Sequence, residues 1–158
     1  MSVSADEFRS VLGRFASGVT VVTTRANDGS DQGMTVSAFC SVSLEPPLIL
    51  VCIEKSASVY HALTTASDFV VNILSADQEQ IARRFSIVDL DRFDGVGYTR
   101  TEKGIAALED VVALIECSRR ETFEGGDHTI ILGEVQAARV EKGSPLLYYR
   151  GGYTQLEG

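Results

Sequence analysis

A row of hydroxyl side chains is the first feature of this sequence that could support chemistry. The stretch from Gly33 to Pro47 resembles one extended strand, in which successive side chains point to opposite faces. One face carries four hydroxyls and a ring: Thr35, Ser37, Phe39, Ser41 and Ser43. The other face carries apolar side chains: Val36, Ala38, Cys40, Val42 and Leu44. The hydroxyl face suits a polar ligand with a flat ring, but an antiparallel strand with one solvated face has the same pattern, so both interpretations stay open.

A second candidate is the turn from Glu54 to Ser58, between an apolar strand and a helical pattern. Backbone N–H groups at a helix start, two hydroxyls and the Lys55 ammonium could converge on a phosphate there. A plain helix cap by Ser56 or Ser58 explains the same residues.

Further candidates lie later in the chain. Arg83 and Arg84, beside Phe85, suit a second phosphate contact, although cations near a helix C-terminus are also favourable without a ligand. His128 follows a glycine-rich turn and could donate a proton near neutral pH, although a single loop histidine is commonly just exposed. Three tyrosines near the C-terminus could line a ligand or belong to the core: Tyr148, Tyr149 and Tyr153.

Several reaction classes are disfavoured by what the sequence lacks. It has no Gly-x-Ser-x-Gly elbow, no phosphate-binding Gly-x-x-x-x-Gly-Lys loop and no Gly-x-Gly-x-x-Gly fingerprint. With His61 and His128 as the only histidines, a hydrolytic triad or a zinc site has few side chains to draw on. We expect no metal, and we expect Cys40, Cys52 and Cys117 to be buried free thiols.

Length and charge narrow the class of protein. A chain of 158 residues, 44% hydrophobic and 23% charged, has the size and composition of one globular domain. A formal net charge of −8 argues against nucleic acid or an anionic membrane as the main partner. The N-terminus has neither the basic start nor the apolar stretch of a signal peptide, and we therefore expect a cytoplasmic protein.

The elements that must position these residues are mainly strands. Short helices are predicted from Asp6 to Phe15, Val59 to Ala66 and Ser75 to Phe85, the first and last with capping boxes. Strands are predicted at 18–24, 33–45, 48–53, 68–74, 111–123, 129–140 and 146–149, with turns at 27–30 and 124–128. The strand at 48–53 is expected to be buried on both faces, and 86–110 is expected to be mostly loop. This order favours a largely antiparallel barrel with helical excursions over a doubly wound sheet.

Six segments, taken in order, give the sequence a specific resemblance. They are Phe15-Ala-Ser-Gly-Val-Thr-Val-Val-Thr-Thr24, Gly33-Met-Thr-Val-Ser-Ala-Phe39, Ser41-Val-Ser-Leu-Glu-Pro-Pro-Leu48, Phe69-Val-Val-Asn-Ile-Leu74, Gly126-Asp-His128 and Tyr149-Arg-Gly-Gly-Tyr153. From about Phe8 to Tyr153 the chain resembles the short-chain flavin reductases, the small reductase components of two-component flavin monooxygenases. The resemblance implies one flavin reductase-like domain over residues 1–158, with an antiparallel split β-barrel of the FMN-binding type.

The resemblance also implies an activity and its partners. Proteins of this family use NADH or NADPH to reduce FMN or FAD, which is then released to a separate oxygenase, and they are usually homodimers. Hydride transfer between the two cofactors needs little from the protein beyond holding their rings roughly 3 to 3.5 Å apart.

Site residues follow from the resemblance position by position. Those implied at the flavin ring and ribityl chain are Gly33, Met34, Thr35, Val36, Ser37, Ala38 and Ser41. Those implied at the ribityl and phosphate end are Cys52, Ile53, Glu54, Lys55, Ser56 and Ser58. Those implied beside the phosphate or the adenosine portion are Arg83, Arg84, Phe85 and Ser86. His128 would stand beside the nicotinamide as the catalytic residue, with Tyr153 near the same place.

Two alternatives share parts of this pattern. A flavin-binding barrel without reductase activity would use the same binding residues. A non-catalytic barrel for another small ligand would instead be lined mostly by apolar side chains, which the hydroxyl strand and the turn at Lys55 disfavour.

Overall fold

Seven antiparallel strands form the central sheet of the computed structural model, which describes residues 2–88 and 91–157. The helices are α1 (Ala5–Leu12), α2 (Tyr60–Thr65) and α3 (Glu79–Arg84), the last preceded by a 3₁₀ turn at Ala76–Gln78. The strands of the central sheet are β2 (Thr20–Arg25), β3 (Asp31–Val36), β4 (Phe39–Ser43), β5 (Leu48–Glu54), β6 (Asp68–Ile73), β9 (Ala113–Gly125) and β10 (His128–Val140). Two smaller sheets contain β1 (Ser17–Gly18), β11 (Leu146–Tyr149) and β12 (Gly152–Gln155), and β7 (Tyr98–Arg100) and β8 (Ala106–Leu108).

The central sheet curls because of one short connection. Its strand order is β3-β2-β6-β9-β10-β5-β4, so β3 and β4 lie at opposite edges although only Ser37 and Ala38 join them. Val36 and Phe39 are three residue steps apart, which span about 11 Å at most, and the two edges must therefore approach each other. We call Ser37 and Ala38 the crossover. The Cys52 N–H donates to the Ala38 carbonyl oxygen at 2.9 Å, which attaches the crossover to β5. The mostly β, antiparallel fold is confirmed, whereas the prediction of one continuous strand from Gly33 is wrong.

The two halves of the curled sheet are covered differently. In β2 and β6 successive valines pack into different cores, Val21 and Val70 on the side of α3 and β8, Val22 and Val71 on the side of α2. In β5 the burial alternates: Ile49, Val51 and Ile53 are buried, while Leu48, Leu50 and Cys52 are only half-buried. Within the single chain the prediction that β5 is buried on both faces is therefore wrong, because no element of the described chain closes its outer face.

Local signals at the chain's turns and helix starts are largely confirmed. Reciprocal capping boxes join Ser4 to Glu7 and Ser75 to Gln78. The 27–30 turn connects β2 to β3, with Gly29 at a φ of 86°. The predicted cap of α2 is wrong, because Val59 occupies the N-cap position and no side chain bonds there.

Three other expectations need correction. The 86–110 segment contains the hairpin β7–β8, and residues 89 and 90 of that segment lie outside the described residues. The sequence analysis also missed β12, which pairs with β11. Cys117 is buried, which raises the pKa of its thiol to about 12, but Cys40 is exposed on edge strand β4. Within residues 2–88 and 91–157, no helix is long and apolar enough to cross a membrane.

A buried asparagine fastens the β7–β8 hairpin to the central sheet. The Asn72 side chain is 0% exposed; its amide donates to the Val21 carbonyl at 2.8 Å and to Thr23 Oγ1 at 3.1 Å. Its Oδ1 accepts a bond from the Leu108 N–H at 2.9 Å. Thr23 Oγ1 in turn donates to the Ala106 carbonyl at 2.7 Å, so β2, β6 and β8 share one network.

We expect Asn72→Ala to lower the free energy of unfolding by about 2 to 4 kcal/mol, because it leaves buried backbone groups without these partners. Urea denaturation followed by circular dichroism measures the change. The exposed Asn27→Ala serves as control and should change stability by less than about 0.5 kcal/mol. An equal, small effect of both substitutions would contradict the role of the network.

Candidate functional site

The predicted hydroxyl row is broken up in the structure. Thr35 Oγ1 donates to the Ala82 carbonyl at 2.6 Å and the Thr35 N–H to the Phe85 carbonyl at 3.2 Å, so Thr35 holds the end of α3. Gly33 and Val36 are buried, and Met34 packs against the core under α2. Ser37, Ala38 and Ser41 are exposed, which places the accessible part of the row at the crossover and the start of β4.

At the end of α3, some side chains are buried in the core and others are exposed to solvent. Phe85 is fully buried, and a Cβ on Gly33 would lie 3.1 Å from its ring, so Gly33 allows Phe85 to pack against β3. Arg84 donates to the carbonyls of Arg92 at 2.8 Å and Asp91 at 2.7 Å and thereby anchors the loop that follows. Of the predicted group, Arg83 and Ser86 are exposed.

Tyr153 of β12 completes this group at the end of α3. Its ring lies 5.0 Å beneath the Arg83 guanidinium and contacts Tyr148 edge-on, with centroids 5.3 Å apart. Burial raises the pKa of its hydroxyl. Tyr153 was expected near His128; within the chain it instead contacts the end of α3.

The turn after β5 is exposed and is fastened to the β9–β10 tip. Ile53 points into the core, whereas Glu54, Lys55, Ser56 and Ser58 are exposed. The Lys55 N–H donates to the Asp127 carbonyl at 2.9 Å, and its Nζ lies 2.6 Å from Glu124 Oε2. The hydrogen bond that Lys55 donates to Glu124 raises the pKa of the ammonium.

His128 stands at the start of β10, opposite Glu54 of β5 and Gly125 of β9. Only Gly126 and Asp127 form the turn, and Gly126 has a φ of 73°, which favours glycine. His128 Nδ1 lies 2.7 Å from Asp127 Oδ1, and this bond lowers the pKa of the Asp127 carboxyl. The carboxylate favours a proton on Nδ1, and it leaves Nε2 as the free ring nitrogen.

The crossover joins these pieces into one edge of the molecule. The Ala38 carbonyl accepts a hydrogen bond from the Cys52 N–H. Glu54 follows Cys52 by two positions in β5 and lies opposite His128 of β10. The exposed donors along this edge are the hydroxyls of Ser37, Ser41, Ser56 and Ser58 and the ammonium of Lys55, beside the carboxylates of Glu54, Glu124 and Asp127. The Arg83 guanidinium is exposed at the end of α3, which Thr35 joins to β3. Such donors bind and position an elongated ligand with a phosphate group.

The structure adds residues that the sequence reasoning did not assign. Asp127 lies within the Gly126-Asp-His128 motif, and Glu79, 3.0 Å from Arg83, has the helical i, i+4 spacing, so local patterns could have found both. Glu124 is 69 positions from Lys55, and no local pattern predicts that pair. Arg92 donates to the Gly33 carbonyl at 2.7 Å, and these two residues are also far apart in the sequence. Burial lowers the pKa of the Arg92 guanidinium.

An open cleft of about 1230 Å³ lies elsewhere, between the start of α3 and the 139–144 segment. None of the predicted site residues lines it. Its walls include Asp77, Glu109, Asp110 and Glu141 against Arg139 and Lys142, and Arg139 is already paired with Glu141.

Comparisons with known proteins place this geometry in a family. Residues 12–157 match the model of the flavin reductase like domain. A flavin reductase of Pseudomonas putida is 42% identical over 147 residues, covering 92% of this chain and 86% of the relative. The reductase subunit of a flavin-dependent monooxygenase from Rhodococcus jostii is 37% identical, covering 99% of this chain and 80% of the relative.

The solved structures agree with the sequence comparison. An NADH:FAD oxidoreductase of Streptomyces globisporus, in complex with NAD and FAD fragments, superposes with a TM-score of 0.92 at 38% identity. The superposition covers 99% of this chain and 97% of the solved one. With a family model spanning nearly all of its length and the same fold at this level of identity, the chain belongs to the flavin reductase-like family.

Proposed function

We propose that this chain uses NADH or NADPH to reduce free FMN or FAD and supplies the reduced flavin to a separate monooxygenase component. The observation that carries the proposal is the edge of exposed donors from the crossover to Lys55 and His128, in a chain of the flavin reductase-like family. The relatives described above include a flavin reductase, a monooxygenase reductase subunit and an NADH:FAD oxidoreductase. We assign residues 1–158 to one catalytic domain and expect a cytoplasmic location.

The donors along this edge fit a flavin nucleotide. Buried Gly33, Val36, Ile53 and Phe85 can reach a ligand only through their backbones, so they would shape the site. The exposed hydroxyls and backbone of Ser37, Ala38 and Ser41 would hold the ring and ribityl chain. Lys55, with Ser56 and Ser58, would bind the phosphate, and Arg83 over Tyr153 would flank an adenosine portion.

The chemistry belongs to the bound cofactors, because hydride passes directly from nicotinamide to flavin. The protein's part is to align the two rings, and a fixed backbone does this more reliably than a mobile side chain. Asp127 orients the His128 ring, and its Nε2 is available to contact the nicotinamide. Backbone N–H groups near the crossover would stabilise negative charge that develops on the flavin ring.

One assay separates this function from its alternatives. The purified chain is mixed with NADH or NADPH and with FMN or FAD, and loss of nicotinamide absorbance is followed. Catalytic, flavin-dependent loss supports the reductase. Flavin binding without turnover identifies a flavin-binding protein without reductase activity, and neither result identifies a barrel for another ligand.

We expect His128→Ala to lower turnover of the nicotinamide roughly tenfold or more at saturating flavin, because ring alignment governs hydride transfer. The flavin Kd should change less than roughly twofold, since His128 lies at the nicotinamide side. His61→Ala, on the exposed side of α2, is the matched control. An unchanged turnover in His128→Ala at saturating flavin would remove His128 from the catalytic site.

We also propose that the chain works as a homodimer, joined through the outer face of β4, β5, β10 and β9. Strand register places Cys40, Leu50 and Leu132 in one cross-strand row, and Cys52, Ile130 and Phe123 in the next. These apolar side chains are exposed or half-buried in the single chain. A second apolar surface lies on α1, whose outward side chains are Phe8, Val11 and Leu12. A contiguous apolar face of this kind favours a protein partner, here a second copy.

We expect Leu132→Lys to convert the dimer into a monomer. The new ammonium lies opposite Glu121, so the single chain can tolerate it, whereas the dimer would have to bury it. Size-exclusion chromatography with light scattering measures the mass, and the exposed Val3→Lys is the control. A wild-type chain that is monomeric, or a Leu132→Lys variant that stays dimeric, would contradict this interface. Because Cys52 and Ala38 adjoin the face, the monomer should also bind flavin more weakly.

A further inference from the structure

The cation proposed to bind the flavin phosphate already has a partner in the protein. Lys55 Nζ, in the turn after β5, lies 2.6 Å from Glu124 Oε2, near the end of β9. The Glu124 side chain is 83% exposed and that of Lys55 39% exposed, so solvent and ligand reach both groups. A phosphate that approaches Lys55 must therefore compete with a carboxylate.

The surroundings of Lys55 strengthen this competition. The Asp127 carbonyl accepts a bond from the Lys55 N–H, and the Asp127 carboxylate contributes with Glu124 to the raised pKa of the ammonium. The carboxylates of Glu124 and Asp127 thus both act on one ammonium. A phosphate oxygen can contact Nζ only by displacing Glu124 Oε2, so the two anions compete for the same ammonium.

The ion pair is not needed to hold the tip in place. The Lys55 N–H to Asp127 carbonyl bond and the β5–β10 ladder, which pairs Glu54 with His128, already fasten the turn to the tip through the backbone. Exposed ion pairs add little to stability in general. The position of Glu124 is thus better explained by what it does to a ligand of Lys55.

We propose that Glu124 is a specificity-determining residue that competes with the flavin phosphate for Lys55 and so keeps the affinity for phosphate-bearing flavins low. This inference rests on the proposed role of Lys55 in binding the phosphate. A flavin held in this way exchanges readily, as required of a product that must leave for another protein. The effect is confined to flavins with a phosphate, because riboflavin has no group that competes for the ammonium.

The test compares FMN with riboflavin, which share the ring and the ribityl chain. Fluorescence titration gives the Kd of each for the wild type, Glu124→Gln, Lys55→Met and the double variant. We expect Glu124→Gln to bind FMN roughly three- to tenfold more tightly and riboflavin unchanged. Lys55→Met should weaken FMN alone, and in its background Glu124→Gln should add nothing. Glu102→Gln, which removes the same charge from the exposed β7–β8 turn, is the control and should leave both Kd values unchanged.

The outcomes separate this inference from the proposed function. If Lys55→Met weakens FMN selectively but Glu124→Gln does not tighten it, the competing role of Glu124 is wrong and the phosphate site stands. If Lys55→Met affects FMN and riboflavin alike, the phosphate site itself is wrong. A gain in Glu124→Gln that extends to riboflavin, or that persists without Lys55, also overturns the inference.

Discussion

The crossover through Ser37 and Ala38 is the constraint on which the rest of the structure depends. It connects the two edge strands of the central sheet with only two residues, so the sheet has to curl until β3 and β4 approach each other. The curl encloses the core under α2 and leaves the polar backbone of the crossover at the surface. The pairing of β4 with β5 and of β5 with β10 places the end of β5 and the start of β10 beside the crossover. Geometry set by the backbone suits an enzyme whose task is to align two cofactors.

Local patterns in the sequence predicted the parts of the fold that depend on neighbouring residues. Ser4 with Glu7 and Ser75 with Gln78 mark helix starts because each pair bonds within one turn. The side chains from Gly33 to Leu44 do alternate, but they belong to two strands. Alternation alone does not show where a chain passes from one edge of a sheet to the other. The hairpin β7–β8 was missed because its strands are short and its anchor, Asn72, is far away in sequence.

The candidate site was predictable to a similar extent. The resemblance pointed to the edge that contains Ser37, Lys55 and His128, and the structure brings these residues to that edge. The resemblance could not indicate that Thr35 is hydrogen-bonded to α3 or that Phe85 is wholly buried, because both follow from the packing of distant segments. The Lys55–Glu124 pair joins the turn after β5 to the end of β9, 69 positions away, and likewise has no local signal. A net charge of −8 is compatible with an anionic ligand because a few local donors are sufficient to bind a phosphate.

A crystal structure of this chain with bound FMN would test the central claim most directly. We predict that the isoalloxazine ring lies against the crossover at Ser37 and Ala38 and that the phosphate contacts Lys55, Ser56 and Ser58. FMN bound instead in the cleft between the start of α3 and the 139–144 segment, with the crossover unoccupied, would contradict it.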